Sequence, residues 1–246
     1  MIQEKTFNKW FNVFILLGMT IAMILTTAIK LGNADSGKAL LLVAAVGSLM
    51  GILSTVCSAN GKIMTFFFGF FDVTIYAVMC FISGKYGNAF LHALYFVPMQ
   101  FVGLWQWRKR GAEGDKQVKA RRFNMRQWWL YSALFLAGSI VAYLVLCRFD
   151  AESSSTFLRT VVLMDAISMV CNILGQLLMS MAYMEQWVFW ILVNISTVTM
   201  WCLSLGSDSD SYAIIYIIKY AFYFLNSLNG LRIWIKLSKN GIDVCS

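Results

Sequence analysis

Apolar residues along this chain run in long stretches, the clearest being "VFILLGMTIAMILTTAI" at residues 13–29, and polar residues collect in short segments between them. A helix needs roughly 20 residues to cross the hydrocarbon core of a bilayer. Windows of that length predict about eight transmembrane helices, over residues 10–31, 38–58, 63–82, 86–107, 128–147, 159–181, 187–205 and 212–235. The runs lack the period-two alternation of a membrane β-barrel, and a helix satisfies its own backbone donors and acceptors in lipid. The predicted fold class is therefore an all-α polytopic membrane protein. The first run is longer than the apolar stretch of a secretory signal and no small-residue cleavage site follows it, so it reads as a span.

Composition removes the soluble alternatives. Apolar residues make up 59% of the 246 positions and charged ones only 13%, about half the roughly 25% that a water-facing surface requires. Disorder, a disulfide framework and a collagen-like fibre are all excluded. With the N-terminus inside, 14 of the 20 Lys and Arg fall on inner segments and 5 on outer ones, leaving Lys219 within the last span. Positive charge marks the cytoplasmic side, so both termini are predicted to be cytoplasmic. The basic segment "RKRGAEGDKQVKARRFNMR" (residues 108–126) is expected to anchor the inner face against anionic membrane lipids. No zinc-finger spacing, nucleotide loop or stacking module accompanies it, so no nucleic-acid partner is expected. The six cysteines form no C-x-x-C pair and read as small apolar filler rather than metal ligands.

The chain also resembles itself. "SLMGILSTVCSANGKIMTFFFGFFDVTIYAVM" lies over "SMVCNILGQLLMSMAYMEQWVFWILVNISTVTM", pairing Gly51 with Asn172, Leu53 with Leu174 and, after one gap, Asp72 with Asn194. "YFVPMQFVGLWQWRK" lies over "YFLNSLNGLRIWIK", with Gly103 on Gly230 and Trp107 on Trp234. Two parallel three-helix repeats joined by a linking helix (3+1+3), plus an extra N-terminal helix, follow from this order. The corresponding segments are 1–36 for the extra helix, 37–107 for the first repeat, 108–158 for the basic loop and linking helix, 159–238 for the second repeat and 239–246 for a tail. Like-oriented triplets facing each other enclose a central path, the geometry of a carrier or a pore.

Polar residues inside apolar windows must face one another, a wet cavity or the interface, because exposing them to lipid costs several kcal/mol for a charge. Trp187, Trp190 and Asn194 are spaced three and four apart and share one helix face. Asn194 lies too deep for an interfacial role, whereas Trp187 also suits the aromatic belt. Gln100 precedes Gly103 by most of a turn, and a residue without a side chain lets a ligand or helix come close. Asn226 and Asn229 share nearly one face, with Tyr223 a turn before Asn226. Lys219 is expected either to pair with Asp72 or Asp165 or to reach the interface. His92 reads as a satisfied polar residue, and Pro98 as a kink in the fourth span. The candidate substrate-binding residues are Gln100, Trp187, Trp190, Asn194, Tyr223 and Asn226. No nucleophile elbow, zinc motif or nucleotide loop is present, so neither an enzyme nor an ATP-driven pump is expected.

The helix order, the Trp187, Trp190 and Asn194 face, "YFVPMQFVGLWQWRK" before the basic loop and the closing "NGLRIWIK" resemble the PnuC family of bacterial nicotinamide riboside transporters, over about residues 40–238. The resemblance implies uptake of nicotinamide riboside, a vitamin B3 form and NAD precursor, across the bacterial inner membrane by facilitated diffusion. It implies a fold similar to that of SWEET sugar transporters, no cofactor, and a homo-oligomer, a trimer, with one path per protomer. Such a ligand offers a flat pyridinium for Trp190 or Trp187 to stack on, and a carboxamide and hydroxyls for Gln100, Asn194 and Asn226. The residues by themselves also leave open a carrier for another small vitamin, nucleoside or sugar, and a channel-like or receptor protein in which the amides only hold helices together.

Overall fold

The computed structural model of the protein describes residues 2–32, 38–82, 86–149, 156–204 and 213–242. The apolar runs fold as helices close to their expected bounds: α1 (Ile2–Gly32), α2 (Lys38–Ala59), α3 (Met64–Ile82), α4 (Tyr86–Leu91), α5 (Val97–Lys109), α6 (Met125–Phe149), α7 (Thr156–Ser180), α8 (Gln186–Ser204) and α9 (Ala213–Ile242). Among the described residues, six helices (α1, α2, α3, α6, α7 and α8) are long and apolar enough to cross a membrane unaided. α9 is 30 residues long but interrupts its apolar face with Lys219, Arg232, Lys236 and Lys239.

The fourth expected span is not a uniform α-helix. α4 and α5 are joined by a π-helical turn, His92–Phe96, whose flanking residues keep right-handed helical dihedrals, so the three pieces form one continuous rod. Proline provides the physical reason. Its ring would clash with the carbonyl four residues back, and a π turn just before it widens the helix. Pro98 then falls at the first positions of α5, where its missing N–H costs little. The irregularity expected at Pro98 is thus displaced to His92–Phe96.

α2 packs on α3, α3 on α5, α5 on α7, α7 on α8, α8 on α9, and α9 back on α2, which closes a six-helix ring. α1 lies against α2 and α9, and α6 against α7. Large apolar side chains stay exposed along these two helices, among them Leu17, Ile24, Leu136, Ile140 and Leu144. Lipid, as apolar as leucine, is their natural solvent.

One end of the ring is filled. Phe66, Trp107, Trp187 and Trp234 pack with Ala59, Met179, Met184 and Leu237 into a single buried cluster. The basic loop folds across that cluster, burying Ala112, Val118 and Ala120 while Lys116, Lys119, Arg121 and Arg122 stay exposed. It is tied to the α2–α3 turn by Val118 N–H on Gly61 O (3.0 Å), and to the α7–α8 turn by Arg121 N–H on Ala182 O (2.6 Å) and Met184 N–H on Arg121 O (3.0 Å). Gly61 and Ala182 both take positive φ, 64° and 60°. In the second turn Glu185 is buried and its Oε1 accepts the Phe123 N–H at 2.8 Å. Burial pushes this carboxyl above its ordinary 4.5, against the Phe123 N–H and the Arg122 charge, which act to lower it.

Candidate functional site

The ring has two seams that join residues distant in sequence, α5 with α7 and α9 with α2. Their hydrogen bonds are reciprocal. Trp107 on α5 donates its indole N–H to Met179 O on α7 (2.8 Å), and Trp234 on α9 donates to Ser58 O on α2 (2.9 Å). The glycine one turn before each tryptophan receives an aromatic ring. Phe66 lies over Gly103, and Trp187 lies over Gly230, where an added Cβ would come within 2.6 Å of the indole. Only glycine admits these rings, because packed interiors have no slack for an extra methyl.

The structure brings four of the six candidate residues to the α8–α9 side. Trp187 is fully buried against Gly230 and Trp234, which removes the belt reading. Trp190 is half-buried, packs between the two largest apolar clusters, and lies over Gly175. Asn194 donates from Nδ2 to Ser227 Oγ at 3.0 Å, and Asn226 donates from Nδ2 to Thr55 O at 3.3 Å. Gln100 stands on α5, three helices from α9 in either direction around the ring; its Nε2 donates to Phe96 O at 3.2 Å and its Oε1 lies beside Gly69. Tyr223 is separate from these. It packs against the cluster of Ile15, Met19, Ile52 and Val56 that holds α1 on the ring.

Three of the candidate residues carry unused hydrogen-bonding capacity. Gln100 Oε1, Trp187 Nε1 and Asn226 Oδ1 are buried without a hydrogen-bond partner in the structure. Each such atom costs about 1–3 kcal/mol relative to a paired one, so the fold carries a cost that a ligand with one acceptor and two donors would relieve. Several neighbouring polar groups are satisfied, while Ser58 Oγ, Gln186 Oε1 and Asn229 Nδ2 are also buried without a partner. Ser54 and Thr65 lock α2 to α3 with mutual bonds of 2.8 and 3.0 Å, and Ser180 joins α7 to Met99 O of α5 at 3.1 Å. Asn172 turns back to Ser168 O, and Asn229 accepts from Arg232. Ser227 was not legible as a site residue, since a lone hydroxyl in an apolar window has no pattern. The one available signal was its place three residues before Gly230, as Gln100 stands three before Gly103.

A cleft of about 780 Å³ opens between α3 and α5. Its walls include Phe67, Phe71 and Phe101, all exposed, so it belongs to the lipid-facing side, with Gln100 at its back. Lys219 is resolved toward Asp72, not Asp165: it is within electrostatic reach of the former, and the latter is exposed on α7. Among the described residues no group of three His, Cys, Asp or Glu side chains is placed to hold a metal.

A closed ring of membrane helices with buried polar side chains and one end packed shut is the architecture of an all-α polytopic membrane protein. Residues 41–236 match the family described as nicotinamide mononucleotide transporter, and the chain belongs to this family, whose matched members carry the name PnuC. It is 34% identical over 200 residues to the nicotinamide riboside transporter PnuC of Neisseria mucosa, covering 80% of this chain and 73% of that one. The protein of the same name from Haemophilus influenzae is 28% identical over 198 residues, 80% of each chain. Among solved structures, a crystal structure of the vitamin B3 transporter PnuC superposes with a TM-score of 0.64 at 31% identity, over 94% of this chain and 93% of that one.

Proposed function

We propose that the chain carries nicotinamide riboside across the bacterial inner membrane by facilitated diffusion, binding it between Gln100 on α5 and the Trp187, Trp190, Asn194 and Asn226 group on α8 and α9. The observation that carries this is the set of unpaired atoms, Gln100 Oε1, Trp187 Nε1 and Asn226 Oδ1, on facing helices of one ring. The amide oxygens accept ribose or carboxamide protons, the indole N–H donates to the carboxamide oxygen, and Trp190 offers its face to the pyridinium, a contact worth about 1–2 kcal/mol when partly desolvated. The relatives are named for the riboside and the family for the mononucleotide. The riboside is favoured because no Arg or Lys stands among these residues to neutralise a phosphate. Phosphorylation after entry would then trap the product inside.

The remaining architecture reads as two three-helix repeats, similar to the SWEET arrangement. α2, α3 and the rod of α4–α5 form one, α7, α8 and α9 the other, α6 the link and α1 an addition. The reciprocal Trp107 and Trp234 bonds and the paired Gly103 and Gly230 contacts support it. We place the basic loop and both termini in the cytoplasm, so the packed end is the inner one and transport proceeds by rocking of the repeats about the site. The unit is a homo-oligomer, a trimer, with one path per protomer. Titration of purified protein with nicotinamide riboside, followed by tryptophan fluorescence, tests the site. Saturable quenching that is lost in Trp190→Ala with helix content unchanged supports it, and quenching unaltered in that variant contradicts it.

A further inference from the structure

One face of α9 carries Gly230, Asn226, Tyr223 and Lys219 at intervals of four, three and four residues, so it runs from Asn226 past the α1–α2 cluster on which Tyr223 packs, away from the packed end. At the far end of this column stands the carboxylate of Asp72 from α3. α2 separates α3 from α9 in the ring, and Asp72 passes α2 at Gly51, where an added Cβ would lie 2.9 Å from the carboxyl carbon. Beyond that bare backbone it is within electrostatic reach of Lys219 and Tyr223. The two charges form no ion pair within bonding distance, although the exposed Lys62–Asp115 pair does, at 3.2 Å. Lys219 also borders a recess of about 110 Å³ with Thr26, Thr27 and Ser48, whose lining includes a second ammonium, that of Lys30.

Binding a fixed cation beside a neutral amide site needs a countercharge, because water is largely excluded there. The geometry points to Asp72 as that group: a specificity-determining residue whose charge acts on the pyridinium held at Trp190 from the side remote from the basic loop, in exchange for Lys219. The inference rests on the riboside reading above. It adds that charge, and not only shape, selects the substrate, and that Gly51 is bare so that the carboxylate reaches the path.

The test compares nicotinamide riboside with its neutral 1,4-dihydro form, which keeps the carboxamide and the ribose, in liposomes containing the purified protein. Asp72→Asn is expected to raise the apparent KM for the cation about tenfold, the effect of losing one charge at moderate effective dielectric, and to leave the neutral form nearly unchanged. Lys219→Met is expected to shift the ratio the other way, and it decides the matter should Asp72→Asn fail to fold. A cation-to-neutral ratio unchanged in the folded variants overturns this inference while leaving the carrier reading intact. Failure of the parent protein to move either compound overturns both.

Discussion

Gln100 concentrates the residue-scale argument. Its Nε2 is spent on Phe96 O and its Oε1 has no partner, so a near-isosteric Gln100→Met change removes the proposed ligand contact and only one internal bond. Affinity for the riboside should fall about tenfold, while the melting temperature of the protein in detergent, measured without added riboside, shifts little, since the lost bond and the removed unpaired oxygen roughly offset. Calorimetry of both properties on one preparation checks the split. Ala182 offers a second residue-scale prediction. Its φ of 60° is one that a Cβ opposes, so Ala182→Gly should stabilise the protein by up to about 1 kcal/mol, less glycine's greater entropy when unfolded. Chemical denaturation of the detergent-solubilised protein reads it. Trp187 illustrates what sequence leaves open at this scale. A tryptophan near a span end suits the aromatic belt equally well, and only the close approach of Gly230, distant in sequence, fixes it indoors.

At the scale of the elements, hydrophobic runs located every span, because in lipid nothing but a helix satisfies the backbone. But α1 begins eight residues earlier and α9 ends seven residues later than the apolar windows, where polar residues continue the helix beyond the run. The π turn was not legible, although its cause was. "YFVPMQFVG" has one more residue between Tyr and Gly than "YFLNSLNG", and a π turn, with one extra residue in its hydrogen-bonded ring, absorbs such a surplus. The seams lead to a further prediction. Gly103→Ala and Gly230→Ala both force a ring off its contact, and each should cost about 1–3 kcal/mol. Gly230→Ala alone should also weaken riboside binding, because the ring it displaces is that of Trp187. Stability and affinity measured on both variants distinguish the two seams.

For the whole molecule, the packed end and its loop set the pH response. Glu185 has a carboxyl raised by burial in the folded state, so the folded protein holds its proton more tightly than the unfolded chain. The resulting stability is fully present below the ordinary 4.5 and is lost as pH rises through the elevated folded value. Melting temperature should therefore climb as pH falls toward 4.5, and Glu185→Gln, which keeps an acceptor for the Phe123 N–H, should flatten that dependence. Charge counting could not anticipate this, since Glu185 looks like an ordinary loop acid until Phe123 is folded onto it from the other side of α6 and α7.

The central claim is that one ring encloses a passive path for the riboside. Entry of labelled nicotinamide riboside into liposomes containing only the purified protein, with no ion gradient and with protein-free liposomes as control, tests it most directly. Saturable entry that stops at equal inner and outer concentration, and that falls sharply in Gln100→Met, is the predicted result. No entry above the control, or accumulation beyond equality only when an ion gradient is imposed, would contradict it.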